Sequence, residues 1–470
     1  MAGIGFELKK IFKERSITSM FKGAFYSTFV TIGPMLIIII CYLVLLLLMG
    51  YRDVSYEEKD LLVSVVLYVF VFALILTSPV AAAVSRFIAD KIFEEKFDDI
   101  LAGFYAGLLT NVILAGVFMF PFVIITIIRG HVDPLIMLLA GMLFMALVFV
   151  FYQMTFVSAL KDYSSITRAY LYGMGVTLSL SVVLHYLFLV PFLISVMAGM
   201  AAGFSTIAMN LFAQILRYFL KNSRNYREFM QILWKYKLLF LGNLFYILGL
   251  YVHNFVFWHH SSLRIIVADT FVSAPVYDTA TFLAMLTNIS VTVIFTVRVE
   301  IKFHEKYQAY CQYILGGIGI DIEMAKKNMF LVLRNEILFL VQIQVIIAAI
   351  FFLLISMFAP FLGFGGMVMV VYPTMAAGYF VLFIMYCTIV FLFYYDDQIG
   401  ALAASAIFFS ATLGAAFLLE RFAAENLYGA GLFIGGMMGL FFALFRLRYV
   451  EKHIDERIFC RGNLLNVAGE

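Results

Sequence analysis

Charge is what this sequence has least of. Only 13% of its 470 residues are Asp, Glu, Lys or Arg, about half the share of a soluble globular domain. No soluble core could hide the rest: 64% of the residues are hydrophobic and the mean hydropathy is +1.01, so the solvent must largely be lipid. Cysteine is scarce too. Cys41, Cys311, Cys387 and Cys460 form no CxxC or Cys/His spacing, which excludes a disulfide framework and a cysteine metal site. Eight prolines and no low-complexity run argue against a disordered tail. No Walker A sequence is present, so no ATPase is carried here. "GGIGID" (316–321) follows no strand and is not a dinucleotide fingerprint. No cofactor, no metal and no nucleic-acid partner is expected.

What is there is a series of apolar runs. A span needs about 20 mostly apolar residues. Twelve such runs occur, roughly 24–49, 61–86, 104–128, 134–160, 166–189, 191–217, 236–258, 277–297, 336–358, 367–394, 398–419 and 428–447. With the N-terminus inside, 27 of the 32 Lys and Arg fall in inner segments and five (Arg52, Lys59, Arg129, Arg264 and Arg421) in outer ones. That bias fits the positive-inside rule and places both termini in the cytoplasm, in a multi-pass protein of the inner membrane. Among the inner turns, "DDQ" (396–398) alone lacks a basic residue.

The expected fold class is an all-α integral membrane protein of about twelve transmembrane helices in two six-helix lobes. The lobes are residues 24–217 and 236–447, with a basic cytoplasmic linker at 218–235 and a cytoplasmic tail at 448–470. No sequence repeat between the halves stands out. Inside the second lobe, residues 298–335 form the longest loop. Val299, Phe303, Tyr307, Tyr310 and Ile314 recur there at helical spacing. A helical hairpin is expected, either closing the bundle floor or docking a partner.

The chain opens with "MAGIGFELKKIF". Its apolar continuation is too long for a signal-peptide h-region, and residue 2 is alanine, so myristoylation is not expected. Ile4, Leu8, Ile11 and Phe12 share a helical face, with Lys9, Lys10 and Lys13 away from it. Residues 1–23 are therefore expected to form an amphipathic helix against an anionic inner leaflet. This opening, with "TIGP" (31–34) in the first span and "IDERIFC" (454–460) near the end, resembles the PelG family. These are transporters of the Pel exopolysaccharide system and distant relatives of the multidrug/oligosaccharidyl-lipid/polysaccharide flippase superfamily. The resemblance implies export of a growing, partly deacetylated N-acetylhexosamine polymer across the cytoplasmic membrane. The implied partners are that polysaccharide, a cytosolic glycosyltransferase, other membrane proteins of the same export system and membrane lipid.

Ionisable residues deep in the spans are few, so no buried proton relay is evident; polar groups in spans mark pathways by default. The candidates are amides: Asn111, Gln153, Asn210, Asn243, Asn254, Asn288, Gln342 and Gln344. Amides and aromatics suit a sugar, whose hydroxyls take hydrogen bonds and whose rings pack on aromatic faces. The same amides can equally be interhelical glue. The candidate substrate path comprises Asn111, Gln153, Asn210, Asn254, Asp278 and Asn288. Asp278 belongs to an outer face with nine acids against five bases, which would attract a cationic polymer. Gly33, Pro34 and Pro79 are candidate hinges, or packing accommodations in a static bundle. Asp396–Asp397 and His259–His260 are adjacent pairs without further ligands. Two other readings remain: a scaffold anchoring a cytosolic synthase, and an integral membrane transferase, for which only His253 and His185 could supply a base.

Overall fold

The computed structural model describes residues 17–51, 54–160, 162–260, 262–295, 299–358 and 366–459. The expected helix at the very start of the chain lies almost wholly outside them. Fourteen α-helices follow in order: α1 (Ile17–Leu48), α2 (Tyr56–Phe93), α3 (Phe97–Gly130), α4 (Pro134–Ala159), α5 (Tyr163–Val182), α6 (Phe192–Tyr218), α7 (Tyr226–Lys235) and α8 (Lys237–Phe257). After a short hairpin, β1 (Ile265–Val267) and β2 (Phe271–Ser273), come α9 (Pro275–Ile294), α10 (Glu300–Gly316), α11 (Gly319–Phe358), α12 (Gly366–Tyr394), α13 (Gln398–Phe422) and α14 (Ala430–Phe459). Ten of these are long and apolar enough to cross a membrane. The chain is a multi-pass membrane protein with an all-α bundle. α1 and α9 occupy the places of the first and eighth expected spans, which is compatible with twelve.

Local chemistry sets the helix ends. Ser55 caps α2, accepting from the Glu58 N–H at 3.3 Å, and Glu57 and Glu58 favour the positive end of the helix dipole. Asp133 accepts from Leu135 N at 2.8 Å, with Pro134 opening α4. Pro191 stands just before α6, at the turn expected there, and the end of α5 widens into a π-turn over Val183–Leu187. Pro34 and Pro79 lie inside α1 and α2, which continue through them.

The sequence pattern missed three features. The hairpin β1–β2 is antiparallel, with Ile266 opposite Val272. The second arm of the expected 298–335 hairpin and the ninth span are one helix, α11, of 40 residues; Gly317 ends α10 and only α10 is a separate arm. The segment read as a tail continues α14 to Phe459. In each case the polar flank of an apolar run keeps helical or extended backbone, because its hydrogen bonds are satisfied there as well as in the lipid-facing part.

The chain forms two compact units. The first contains residues 17–247 with 262–275, the second 248–260 with 276–459. The division therefore falls within α8, and the β-hairpin belongs to the first unit. In that unit α6 packs on α5 and α4, and α2 on α4. Tyr152, fully buried, donates to Phe104 O at 3.0 Å, and its ring stacks on Phe104 at 5.9 Å. In the second unit α14 packs on α13 and α12.

The two units repeat one helix-packing register that the sequence hides. A Cβ on Gly203 (α6) would lie 1.9 Å from Thr177 Oγ1 (α5); a Cβ on Gly435 (α14) would lie 1.9 Å from Thr412 Oγ1 (α13). One turn away Gly199 meets Ser181 and Gly431 meets Ala416. On the other side bulk is exchanged: Gly173 faces Ile207, whereas Phe408 faces Gly439. Small residues four apart let membrane helices approach closely, and the exchange keeps each contact filled while erasing the likeness in sequence. The turn before the pair is repeated too. Asp162 precedes α5 at φ −91°, ψ 66°, and Asp397 precedes α13 at φ −87°, ψ 65°.

Candidate functional site

The candidate constellation with a carboxylate sits in the second unit, where the end of α8 meets the start of α9. Asn254, near the end of α8, and Trp258, just beyond it, are four residues apart; the Trp258 backbone N–H donates to Asn254 O at 2.8 Å, so the two side chains fall on the same side. Both reach Asp278 on the first turn of α9: Asn254 Nδ2 donates to Asp278 Oδ1 at 2.8 Å, and Trp258 Nε1 donates to Oδ1 at 2.9 Å and Oδ2 at 3.1 Å. Thr281, one turn along α9, lies 3.4 Å from the same amide. Asp278 is half-buried, and Asn254 and Trp258 are buried. The Asn254 Oδ1 atom is buried with no hydrogen-bond partner among the described residues.

An aromatic wall adjoins this group. Phe257 stacks on Tyr277 at 4.3 Å between ring centroids and tilts against Tyr428 at 5.0 Å; His260 lies 5.3 Å from the Tyr428 ring. His253 Nδ1 is 2.9 Å from the Tyr277 hydroxyl, and its Nε2, fully buried, has no partner among the described residues. His185, the other histidine considered for catalysis, has its Nδ1 3.1 Å from Val190 O at the end of the π-turn. The arrangement offers a fixed carboxylate, buried acceptors and flat aromatic faces. Its acceptors are of the kind that take hydrogen bonds from hydroxyls and amines, while the rings of the wall are buried and cover one another.

The other candidates are distributed among several helices. Asn288, half-buried on α9, donates to Tyr379 O (α12) at 2.9 Å and accepts from Gln344 Nε2 (α11) at 2.7 Å, tying three helices. Asn243 donates to Ser78 O at 2.6 Å, beside Pro79, within the first unit. Asn111 and Asn210 each donate to their own helix, to Gly107 O and Thr206 O, both at 2.8 Å. Asn111 and Gln153 are buried, and each keeps an amide oxygen without a partner among the described residues. Buried acceptors are satisfied as a rule by protein groups or ordered water. Gly33, Pro34 and Pro79 are buried in α1 and α2. Asn254 and Asp278 are thus in direct contact, whereas Asn111, Asn210 and Asn288 bond elsewhere.

Sequence reasoning missed Trp258, Thr281 and Tyr277. A signal for Trp258 existed: it is one of two tryptophans and falls one turn after Asn254. It also missed a buried ion cluster where α2, α3 and α7 meet. Lys91, 2% exposed, lies 2.6 Å from Glu228, 3.2 Å from Glu94 and 3.4 Å from Asp99. Burial would raise the Glu94 carboxyl, but hydrogen bonds from Lys96 and Lys91 outweigh it and hold it below the usual range.

The fold is that of a membrane transporter of the MATE type. An outward-facing multidrug resistance MATE family transporter of the MOP superfamily matches with a TM-score of 0.61 at 13% identity, over 92% of this chain and 96% of its own. An inward-facing one matches with 0.56 at 12% identity, over 85% and 92%, and a MATE in the bent conformation with 0.58 at 15%, over 92% and 96%. No curated protein matches the chain. The family is more specific: residues 1–459 match the model of PelG, described as "Putative exopolysaccharide Exporter (EPS-E)", and the chain belongs to that family. The family is described as one of exporters.

Proposed function

We propose that this protein exports a nascent extracellular polysaccharide, a Pel-like N-acetylhexosamine polymer, across the cytoplasmic membrane in concert with a cytosolic glycosyltransferase. Both termini are cytoplasmic in this reading, as the distribution of Lys and Arg favours. Asp278 carries the substrate assignment: a half-buried carboxylate held by Asn254 and Trp258 beside an aromatic wall. A partly deacetylated polymer presents ammonium, hydroxyl and acetamido N–H donors beside its hydroxyl and carbonyl acceptors. The carboxylate and the orphaned Asn254 oxygen are acceptors. Asn111, Gln153, Asn210 and Asn288 supply further polar points along the path, and Gly33, Pro34 and Pro79 are proposed hinges. The attraction must stay moderate, since a deeply bound polymer would not be released.

Complementation of a strain lacking the gene tests the reading. The wild-type chain restores secreted hexosamine polymer. Asp278→Asn keeps the hydrogen-bonding shape but loses the charge, and lowers secretion at unchanged membrane abundance. Full secretion without the chain overturns the function. Full secretion by both Asp278→Asn and Asp278→Ala overturns the role of the carboxylate.

A further inference from the structure

Within the first unit, α2, α3, α4 and β2 line a half-open cavity of about 190 Å³. Val69, Phe72, Phe118, Phe122, Ala140 and Phe271 are among its walls, and no charged side chain lines it. The one phenol on the wall is turned to other use. Tyr68 donates its hydroxyl to Val272 O at 2.8 Å and accepts from Val272 N at 2.9 Å. This pair of hydrogen bonds to one residue of β2 pins the hairpin beside the cavity. Phe271 of that strand is buried and stands edge-on to Tyr68 at 5.2 Å and to Phe122 at 5.5 Å. The rim of the cavity is exposed: Phe72 is 38% and Phe118 59% exposed, on helices long and apolar enough to span.

Phe118, Phe122 and Arg129 lie on one face of α3, at spacings of four and seven. The rise from Phe122 to Arg129 is about 10 Å, the step from hydrocarbon toward a headgroup. The end of α3 lies against the hairpin, since a Cβ on Gly130 would be 2.4 Å from Ala268 O. Arg264, exposed, immediately precedes β1. Two of the five outer basic residues read from the sequence thus flank one hairpin. Neither Arg129 nor Arg264 forms an ion pair among the described residues. Of the acids beside them in the chain, Asp133 caps Leu135 N just before α4, and Asp269 stands in the turn between β1 and β2.

We propose that this cavity holds part of one acyl chain of a bilayer phospholipid whose phosphate is bound by Arg129 and Arg264. Each buried methylene contributes about 0.8 kcal/mol, and guanidinium groups match phosphate oxygens bidentately. The β-hairpin forms the wall between chain and headgroup. The site lies wholly in the first unit and does not depend on what the protein exports.

The full-length protein, purified in mild detergent, is irradiated with phosphatidylglycerol carrying a diazirine in its acyl chain. Cross-linked peptides are expected to concentrate in residues 65–72, 118–123 and 137–144. Labelling no denser there than on the exposed face of α11 around Leu338, Val345 and Ile346 overturns the site. Native mass spectrometry with dioleoyl phosphatidylglycerol provides a second arm. Ala140→Phe, which fills the cavity, and the double variant Arg129→Gln/Arg264→Gln should each reduce retained lipid about tenfold, with inorganic phosphate failing to compete. Unchanged retention in Ala140→Phe overturns the acyl pocket. Unchanged retention in the double arginine variant overturns the headgroup site, and competition by phosphate alone overturns the anchoring by an acyl chain.

Discussion

Arg446 donates Nε to Asp397 Oδ2 at 2.5 Å and Nη2 to Asp397 Oδ1 at 2.9 Å, so the turn before α13 is clamped to α14. Gly400 makes room for the clamp: a Cβ there would lie 2.3 Å from Asp397 Oδ2 and 2.5 Å from Arg446 Cγ. Removing one partner of a buried pair strands the other. The Asp397 side chain is 4% exposed and that of Arg446 25%, so the effect is discounted for solvent. Arg446→Gln is expected to destabilise the protein by about 2 kcal/mol, read as a lower melting temperature in detergent. Gly400→Ala should lower it as well. Melting equal to wild type in both would deny the clamp a structural role.

Lys91 has three carboxylates around it and almost no water. Lys91→Met keeps the bulk but leaves Glu228, Glu94 and Asp99 facing one another. A loss of about 2 kcal/mol is expected after discounting for the partly exposed carboxylates. Since Glu228 lies on α7, cleavage by added protease in residues 219–225 should rise. A variant as resistant as wild type would show that α7 is held by other contacts.

The repeated glycine contacts should behave alike in the two units. Gly203→Ala and Gly435→Ala each force a methyl group against a threonine hydroxyl 1.9 Å away. Overpacking of this kind costs about 1–3 kcal/mol. Thr412→Ala should restore only part of the loss in Gly435→Ala, because the Thr412 backbone N would still lie 2.8 Å from the new Cβ. Melting curves of the single and double variants measure both effects.

The amides separate by their partners. Asn288→Leu removes the links to Tyr379 and Gln344 and should reduce membrane abundance together with export. Asn210→Leu removes only a bond within its own helix, so abundance should hold while export falls if the side chain meets polymer. Quantitative immunoblots set against secreted hexosamine distinguish the two. Normal export by Asn210→Leu would remove that residue from the path.

Asp162 responds to pH with a definite sign. Burial would raise its carboxyl, but hydrogen bonds from the Ser165 hydroxyl and N–H, Ser164 and Tyr218 outweigh that and hold it below its usual value. Its stabilising contribution is therefore complete above the ordinary carboxylate pKa of about 3.9 and is lost as pH falls through the lowered value. Asp162→Asn should flatten the acid side of a melting-temperature profile. An unchanged slope would assign the acid sensitivity to other groups.

Much of this protein was legible in its chain because the bilayer leaves a backbone few options. Every peptide group in hydrocarbon must be bonded within its own segment, so apolar runs of the right length become helices, and the stretch from Pro134 to Ala159 could be read almost to the residue. The family was legible in the opening and closing residues, through recognition rather than physics. What only the tertiary structure decided lies in contacts between segments distant in sequence. Asn254 and Asn288 are the same residue type in two apolar helices, yet one meets Asp278 and the other bridges three helices. Asp397 looked like half of a bare acidic turn until Arg446, far along the chain, reached it. The shared register of Thr177–Gly203 and Thr412–Gly435 left no visible repeat, because packing preserves the sum of two facing volumes and not the identity of either residue.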